Sequence, residues 1–330
     1  KYGITVQKRE DLGRIIKEAF YIARTGRPGP VVVDLPKDVM GELGSPDYPE
    51  TVNIRGYKPN TDVHIGQLKR AMKMLNKAEK PLFLAGGGVK IANAQEIFTK
   101  IVDVTKVPVV TTIMGRGAVP TNHPLFIGNL GMHGAYAANM AVSECDLLFS
   151  IGTRFNDRIT GKIHEFAPNA QIVHIDIDTA SISRNVHVDI PIVADAKTAS
   201  EKILEYAFEH DTEQWLKKIE GWKAEHPLKM KEKPKLTPQK VIETINEMFD
   251  EAIVVTDVGQ HQMFTTQYLE MTEKKQLLTS GGLGTMGYGF PGAIGAQLGN
   301  PDTPVIAISG DGGMQMNIQE FATAVGQELP

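Results

Sequence analysis

A run of small and β-branched residues, Pro304-Val305-Ile306-Ala307-Ile308-Ser309, leads into Gly310-Asp311-Gly312-Gly313. It reads as a buried strand presenting one carboxylate framed by glycines. Magnesium takes one or two protein carboxylates and fills its shell with phosphate oxygens and water, so Asp311 suits a Mg–diphosphate anchor. The glycines let the backbone come close to a phosphate. Alone, the same four residues also make an ordinary tight turn. Two further loops in this part of the chain decide the matter: Thr256-Asp257-Val258-Gly259-Gln260-His261-Gln262 and the glycine-rich residues 281–289. In an open α/β sheet, ligands collect beyond the carboxyl ends of the strands, so the three loops are expected to converge. A helix starting after Gly287 would add a partial positive end for a diphosphate. The glycines at 287, 289 and 292 equally serve close helix packing. His261 has no second His or Cys at ligand spacing and reads as a neutral hydrogen-bonding group.

A second set of strand-end loops lies in the middle of the chain. Gly86-Gly87-Gly88 stands between a strand and a helix, but it is neither Gly-x-Gly-x-x-Gly nor a Walker pattern, so by itself it is a weak sign of nucleotide binding. Gly152-Thr153-Arg154-Phe155-Asn156-Asp157-Arg158 offers two guanidinium groups suited to phosphate, although surface ion pairing is the ordinary fate of such arginines. Ile175-Asp176-Ile177-Asp178 ends another strand and offers a carboxylate to a ribose hydroxyl. Together the three loops favour a dinucleotide.

The elements that must position these loops follow from periodicity. Residues 10–25 carry Leu12, Ile15, Ile16, Ala19, Phe20 and Ala23 at helical spacing, followed by the apolar run Val31-Val32-Val33-Asp34-Leu35, read as a strand covered on both faces. Residues 41–59 are rich in Pro, Gly, Asp and Asn and read as a linker. From residue 60 helices and strands alternate. A helix through Ile65, Leu68, Met72 and Leu75 precedes a strand at 81–85, and one helix then runs to about 106 before a strand at 107–112. A helix at 135–143 and strands at 146–151, 171–176 and 188–193 follow. Residues 223–238 are charged and contain proline, a second linker. A third unit opens with a helix at 238–249 and a strand at 252–256. Alternation with near-continuous apolar strands predicts doubly wound parallel sheets of the α/β class.

Composition narrows the class. At 330 residues the chain is long enough for two or three domains, and 42% hydrophobic residues is ordinary for a globular protein. A net charge of -4 disfavours nucleic acid or an anionic membrane as a bulk partner. The lone cysteine, Cys145, excludes an intrachain disulfide, fits a reducing cytoplasmic compartment and reads as a buried structural thiol. No long apolar run or signal-peptide pattern is present. The chain opens at Lys1 and closes just after a helical pattern begins, so a piece of a longer protein is expected.

The same motifs, with Gly26-Arg27-Pro28-Gly29-Pro30, Leu35-Pro36-Lys37-Asp38-Val39, Gly115-Arg116-Gly117 and Leu130-Gly131-Met132-His133-Gly134, carry a resemblance to the thiamine-diphosphate-dependent enzymes of the acetolactate synthase group, specifically their catalytic large subunits. The resemblance covers essentially the whole chain. It implies part of a pyrimidine-binding domain at 1–45, a linker at 46–59, a complete central FAD-binding domain at 60–210, a helix and linker at 211–236, and part of a diphosphate-binding domain at 237–330. FAD contacts are implied for Arg27, Gly86, Gly87, Gly88, Thr111, Leu130, Gly131, Met132, His133, Gly152, Arg154, Arg158, Asp176, Ile177, Asp195 and Ala196. Val258, Gly259, Gln260, His261, Gly284, Met286, Gly310, Asp311, Gly312 and Gly313 are implied for thiamine diphosphate, with Asp311 on Mg2+. Lys37, Met132 and Arg158 would line the substrate channel. The implied reaction decarboxylates pyruvate and joins the remaining two-carbon unit to a second 2-keto acid, giving 2-acetolactate or 2-aceto-2-hydroxybutyrate, in a homodimer or homotetramer with a possible small regulatory subunit. A related 2-keto-acid oxidase or decarboxylase, or a non-catalytic FAD-binding module, are the alternatives. Asn156 stands where some relatives carry aspartate. The family's activating glutamate would fall before Lys1 and the asparagine completing its Mg motif after Pro330, so this stretch alone is expected to be inactive.

Overall fold

The computed structural model describes residues 1–59, 62–230 and 236–330. Residues 60–61, at the expected start of the central domain, and 231–235, inside the expected second linker, lie outside the described residues. The chain first forms β1 (Tyr2–Thr5), α1 (Leu12–Arg24), β2 (Val31–Asp34) and α2 (Lys37–Gly41). The middle then runs α3 (Ile65–Lys77), β3 (Pro81–Ala85), α4 (Gly87–Ile91), α5 (Gln95–Thr105), β4 (Val109–Thr111), β5 (Phe126–Asn129), α6 (Tyr136–Glu144), β6 (Leu147–Ile151), α7 (Asp157–Thr160), β7 (Gln171–Asp176), β8 (Ile190–Val193), α8 (Ala196–Tyr206) and α9 (Glu213–Glu225). The last part comprises α10 (Pro238–Met248), β9 (Ala252–Thr256), α11 (Gln260–Tyr268), β10 (Lys275–Thr279), α12 (Gly289–Gly299), β11 (Val305–Ile308), α13 (Asp311–Met316) and α14 (Phe321–Gly326).

The middle strands form one parallel sheet in the order β5-β4-β3-β6-β7-β8. The chain begins at the sheet centre, winds to one edge, then returns to β6 and winds to the other. This is the strand order of doubly wound dinucleotide-binding sheets, and its switch point falls between β3 and β6. The continuous apolar strands reflect burial on both faces. Phe83 and Ala85 join Phe98, Ile101, Phe149 and Ile203 on one side, while Leu82 and Leu84 join Ala138, Leu148, Trp215 and Ile219 on the other. Phe83 packs edge-on against Phe98 and Phe149, with ring centroids 5.8 and 5.5 Å apart. Cys145 is buried in the second cluster, and burial together with the neighbouring Asp146 charge pushes its thiol up to about 12. It is an inert core group, as the sequence predicts.

A smaller parallel sheet, β10-β9-β11, carries α10, α11 and α12. Its central strand is fully buried, whereas β11 is only half-buried along much of its length. The strand expected to be buried before Asp311 is thus only half-buried, and among the described residues it pairs with β9 alone. Likewise β2 is not covered on both faces: it pairs with β1 and packs on α1 through Val33, while Val32 points away and is 67% exposed. The single helix expected after Gly88 is two helices. Asn93 adopts a left-handed φ of 52° between them, a conformation asparagine tolerates better than most residues. Among the described residues no helix is long and apolar enough to cross a membrane.

Candidate cofactor site between the two sheets

The carboxyl ends of both larger sheets open on one cavity of about 950 Å3. At the switch point the two central loops touch backbone to backbone. Gly86 N–H donates to Ile151 O at 2.9 Å and Gly88 N–H to Gly152 O at 3.1 Å. Gly152 has φ +65°, and a Cβ there would lie 2.6 Å from Gly88 Cα. Only glycine fits both the dihedral and the gap. The triple glycine thus first serves to bring two strand-end loops together, which is why no Gly-x-Gly-x-x-Gly spacing is needed.

Arg27, Gly87, Gly88, Leu130, Met132 and His133 line the cavity, as do Gly152, Arg154, Arg158, Asp176, Ile177, Asp195 and Ala196. From the last unit Val258 and Gly284 reach it, with Gln262, Leu283 and Tyr288. The residues 130–134 are braced for this. Asn139 Oδ1 accepts from Gly131 N–H at 2.9 Å, and Met132 N–H donates to Arg158 O at 3.0 Å, placing Met132 beside Arg158. Gly86, Gly131 and Thr111 stand behind this lining. Lys37, first residue of α2, is exposed and does not line the cavity. Some expected ligand groups already have partners. Asp195 caps α8, accepting from Lys197 and Thr198 N–H, and Asp176 accepts from Asp178 N–H. Arg27 pairs with Asp178 at 3.0 Å. Burial opposes ionisation of Asp178, but Arg27 and the Ala180 and Ser181 donors outweigh it and hold its pKa below the ordinary value.

The three loops of the last unit also converge, in a second cluster. A Cβ on Gly310 would meet the His261 ring at 3.2 Å, and one on Gly312 would meet Met286 Cε at 2.6 Å. Asp311 starts α13, is exposed, and makes no hydrogen bond or ion pair with the described residues. Gly259, Gln260 and His261 open α11. Here one expectation is corrected. The Gly289 N–H that opens α12 is not free to receive a diphosphate, because the buried Asp257 carboxylate takes it at 2.8 Å, together with Gly287 N–H at 3.0 Å and Val258 N–H at 2.8 Å. Gly313 packs against the same carboxyl, where a Cβ would lie 2.6 Å from Asp257 Cγ. One carboxylate therefore ties all three loops. Burial works against its ionisation, yet the hydrogen bonds from Gly289, Val258 and Gly287 outweigh it and lower the pKa. The sequence shows Asp257 in a candidate loop but gives no sign of this tie, because two of its three partners are backbone groups about thirty residues away.

Three buried polar atoms have no hydrogen-bond partner among the described residues: Thr111 Oγ1 at the end of β4, Thr153 Oγ1 in the loop after β6 and His261 Nε2 in α11. Unpaired buried groups are costly, and a bound polar ligand would satisfy them. Among the described residues no group of three His, Cys, Asp or Glu side chains is placed to hold a metal, so a cation at Asp311 would need ligands from a phosphate.

A six-stranded sheet in dinucleotide-fold order and a second α/β unit, both with glycine-rich strand ends on one cavity, define a two-part α/β protein. Residues 68–203 match the family description "Thiamine pyrophosphate enzyme, central domain", and residues 257–330 match "Thiamine pyrophosphate enzyme, C-terminal TPP binding domain". The chain belongs to the thiamine pyrophosphate enzymes. Within that family its whole length is similar to acetolactate synthase large subunits: 43% identical to the isozyme 3 large subunit of Escherichia coli, covering 59% of that protein, and 46% identical to a probable large subunit of Methanocaldococcus jannaschii, covering 58%. The large subunit of Haemophilus influenzae is 43% identical, with 59% covered. The chain thus spans rather more than half the length of these relatives.

Proposed function

We propose that the whole protein is an acetolactate synthase catalytic subunit, that the cavity between the two sheets holds FAD, and that the neighbouring cluster around His261 and Asp311 holds thiamine diphosphate anchored through Mg2+. The observation that carries this is the single cavity shared by the strand ends of both sheets, in a chain similar throughout to such subunits. The residues present fit the groups. Gly87, Gly88 and Arg154 would hold the FAD phosphates and Asp176 a ribose hydroxyl, and Thr153 offers a buried hydroxyl without a partner among the described residues. Asp311 would hold Mg2+, and His261 Nε2 is free for a polar group of thiamine diphosphate. Thiamine diphosphate, when bound, supplies the electron sink through which a 2-keto acid loses carbon dioxide. The chain orients and shields. Arg158, with its side chain 68% exposed, is available to a substrate carboxylate, and Met132 beside it gives the mouth an apolar edge. FAD is structural in this reading, since the net reaction transfers no electrons. The substrates are 2-keto acids, and the assembly is a homodimer or homotetramer that a small regulatory subunit can join.

Incubated with pyruvate and the three cofactors, the whole protein is expected to form 2-acetolactate. Acetaldehyde as the main product, or net flavin reduction during turnover, would assign it to a decarboxylase or an oxidase instead. The flavin site has its own test. Equilibrium dialysis of the protein should show saturable FAD binding, weakened about 10-fold or more by Arg154→Ala, the cost of one charge-assisted hydrogen bond to phosphate. A folded protein that binds no FAD refutes that assignment. For the metal, Asp311→Ala in the whole protein should abolish Mg-dependent retention of thiamine diphosphate and leave FAD bound, because the two sites use different sheets. Loss of both cofactors from a folded variant would contradict that separation.

A further inference from the structure

A second, smaller cleft of about 300 Å3 lies where the central unit meets the last one, and Arg116 forms part of its wall. Arg116 is only 4% exposed. Its Nη2 donates to Leu269 O at 2.6 Å and its guanidinium stands 5.7 Å from the centre of the Phe126 ring. Its Nε is buried and has no hydrogen-bond partner. Among the described residues no carboxylate pairs with it, and burial brings its pKa down to about 10. The nearest influence of like sign makes matters worse: Lys90, itself half-buried and donating to Leu277 O at 3.3 Å, has its pKa lowered by burial and by the Arg116 charge. A buried cation without a counter-charge is among the most costly features a fold can carry, and the carbonyl and the aromatic ring offset only part of it.

The rest of the cleft suits what would complete the offset. Lys223 also lines the cleft, although its charge is already paired with Glu220 at 2.7 Å, and Phe126, Leu228 and Tyr268 supply apolar and aromatic walls. Glu270, at the rim, is exposed and makes no ion pair with Arg116. We propose that this cleft, which adjoins the larger cavity and shares Asn129, His133 and Thr266 with its wall, is a second ligand site that takes a short-chain organic carboxylate: its oxygens accept from Arg116 and its apolar part lies against Phe126 and Leu228. The volume, at the low end for ligand pockets, bounds the ligand to a small molecule, and a short-chain carboxylate lies well within it. Because Arg116, Thr121 and Lys90 of the central unit bond Leu269, Met271 and Leu277 of the last one, a ligand here sits on the seam between the two sheets.

Arginine Nε–H correlations of 15N-labelled protein read this directly, with butyrate as the probe and inorganic phosphate in parallel at matched ionic strength. One Nε–H signal should shift saturably with butyrate, be missing from the spectrum of Arg116→Lys, and respond at least five-fold more weakly to phosphate. Butyrate should also raise the Tm of the parent and leave that of Arg116→Leu unchanged. No saturable shift in the folded parent, or a shifting signal that persists in Arg116→Lys, overturns the site. Equal response to phosphate overturns the assignment of an organic carboxylate. If Arg116→Leu fails to fold, the parent titration and the lysine variant still decide. FAD dialysis on the same samples keeps failure here separate from failure of the cofactor cavity.

Discussion

Gly152→Ala is expected to destabilise the protein by about 3 kcal/mol, the sum of a left-handed dihedral on a residue with a Cβ and an overlap in a closed contact. In thermal unfolding that is a fall of roughly 6–12 °C in Tm. The methyl group has nowhere to go: it would lie 2.6 Å from Gly88 Cα and 2.9 Å from Gly88 N, both backbone atoms of the facing loop. Relief requires the loops after β3 and β6 to part, which breaks the bond from Gly88 N–H to Gly152 O. These two loops form the floor of the larger cavity, so FAD affinity should fall with stability. Gly161→Ala is the control. Gly161, with φ +55° and ψ -124°, has no atom within 4 Å of an added Cβ, so it carries the dihedral strain alone, about 2 kcal/mol. Equal Tm values for the two variants would show that the backbone crossing at the switch point is not tight.

The comparison also shows what periodicity and motif spacing reveal and what they leave hidden. The strands at 81–85, 171–176 and 252–256 are read with their observed bounds, because each is a short apolar run between polar or glycine breaks and is buried on both faces. β5 and β10 are not legible. Phe126-Ile127-Gly128-Asn129 contains glycine and asparagine, which local propensity assigns to a turn, and Lys275-Gln276-Leu277-Leu278-Thr279 emerges from a charged stretch. Both are strands because a neighbouring strand supplies the ladder, which is information held in the tertiary fold. Strand-end glycines and arginines are picked out from sequence alone, since their chemistry is local, and most of them line the larger cavity. Arg116 differs: its significance lies in missing a partner, and a missing partner is visible only once the elements are packed. Asp257 fails to stand out for the opposite reason, since its partners are backbone amides that any sequence would provide.

That buried carboxylate leads to the other large effect. Asp257→Ala leaves the N–H groups of Val258, Gly287 and Gly289 without their acceptor in a region closed to water. At about 1–3 kcal/mol for each buried group left unpaired, the loss is expected to be about 4 kcal/mol, concentrated in the last unit. Hydrogen exchange at Gly287 and Gly289 should accelerate far more than exchange in the central sheet. Asp257→Asn keeps one acceptor oxygen and turns an NH2 toward the remaining donors, so it should fall between the parent and the alanine variant. The charge itself is tested by pH. Hydrogen bonding holds the folded pKa of Asp257 below its ordinary value, so the unfolded chain takes up the proton first as pH falls. The stabilisation is therefore fully present above the ordinary aspartate range, near pH 4, and is lost as pH falls through the lowered folded value. Urea midpoints of the parent and Asp257→Asn should draw together across that window and stay apart above it. A gap that stays constant into the acid range would show that geometry alone, without the ionised carboxylate, holds the three loops of the diphosphate site together.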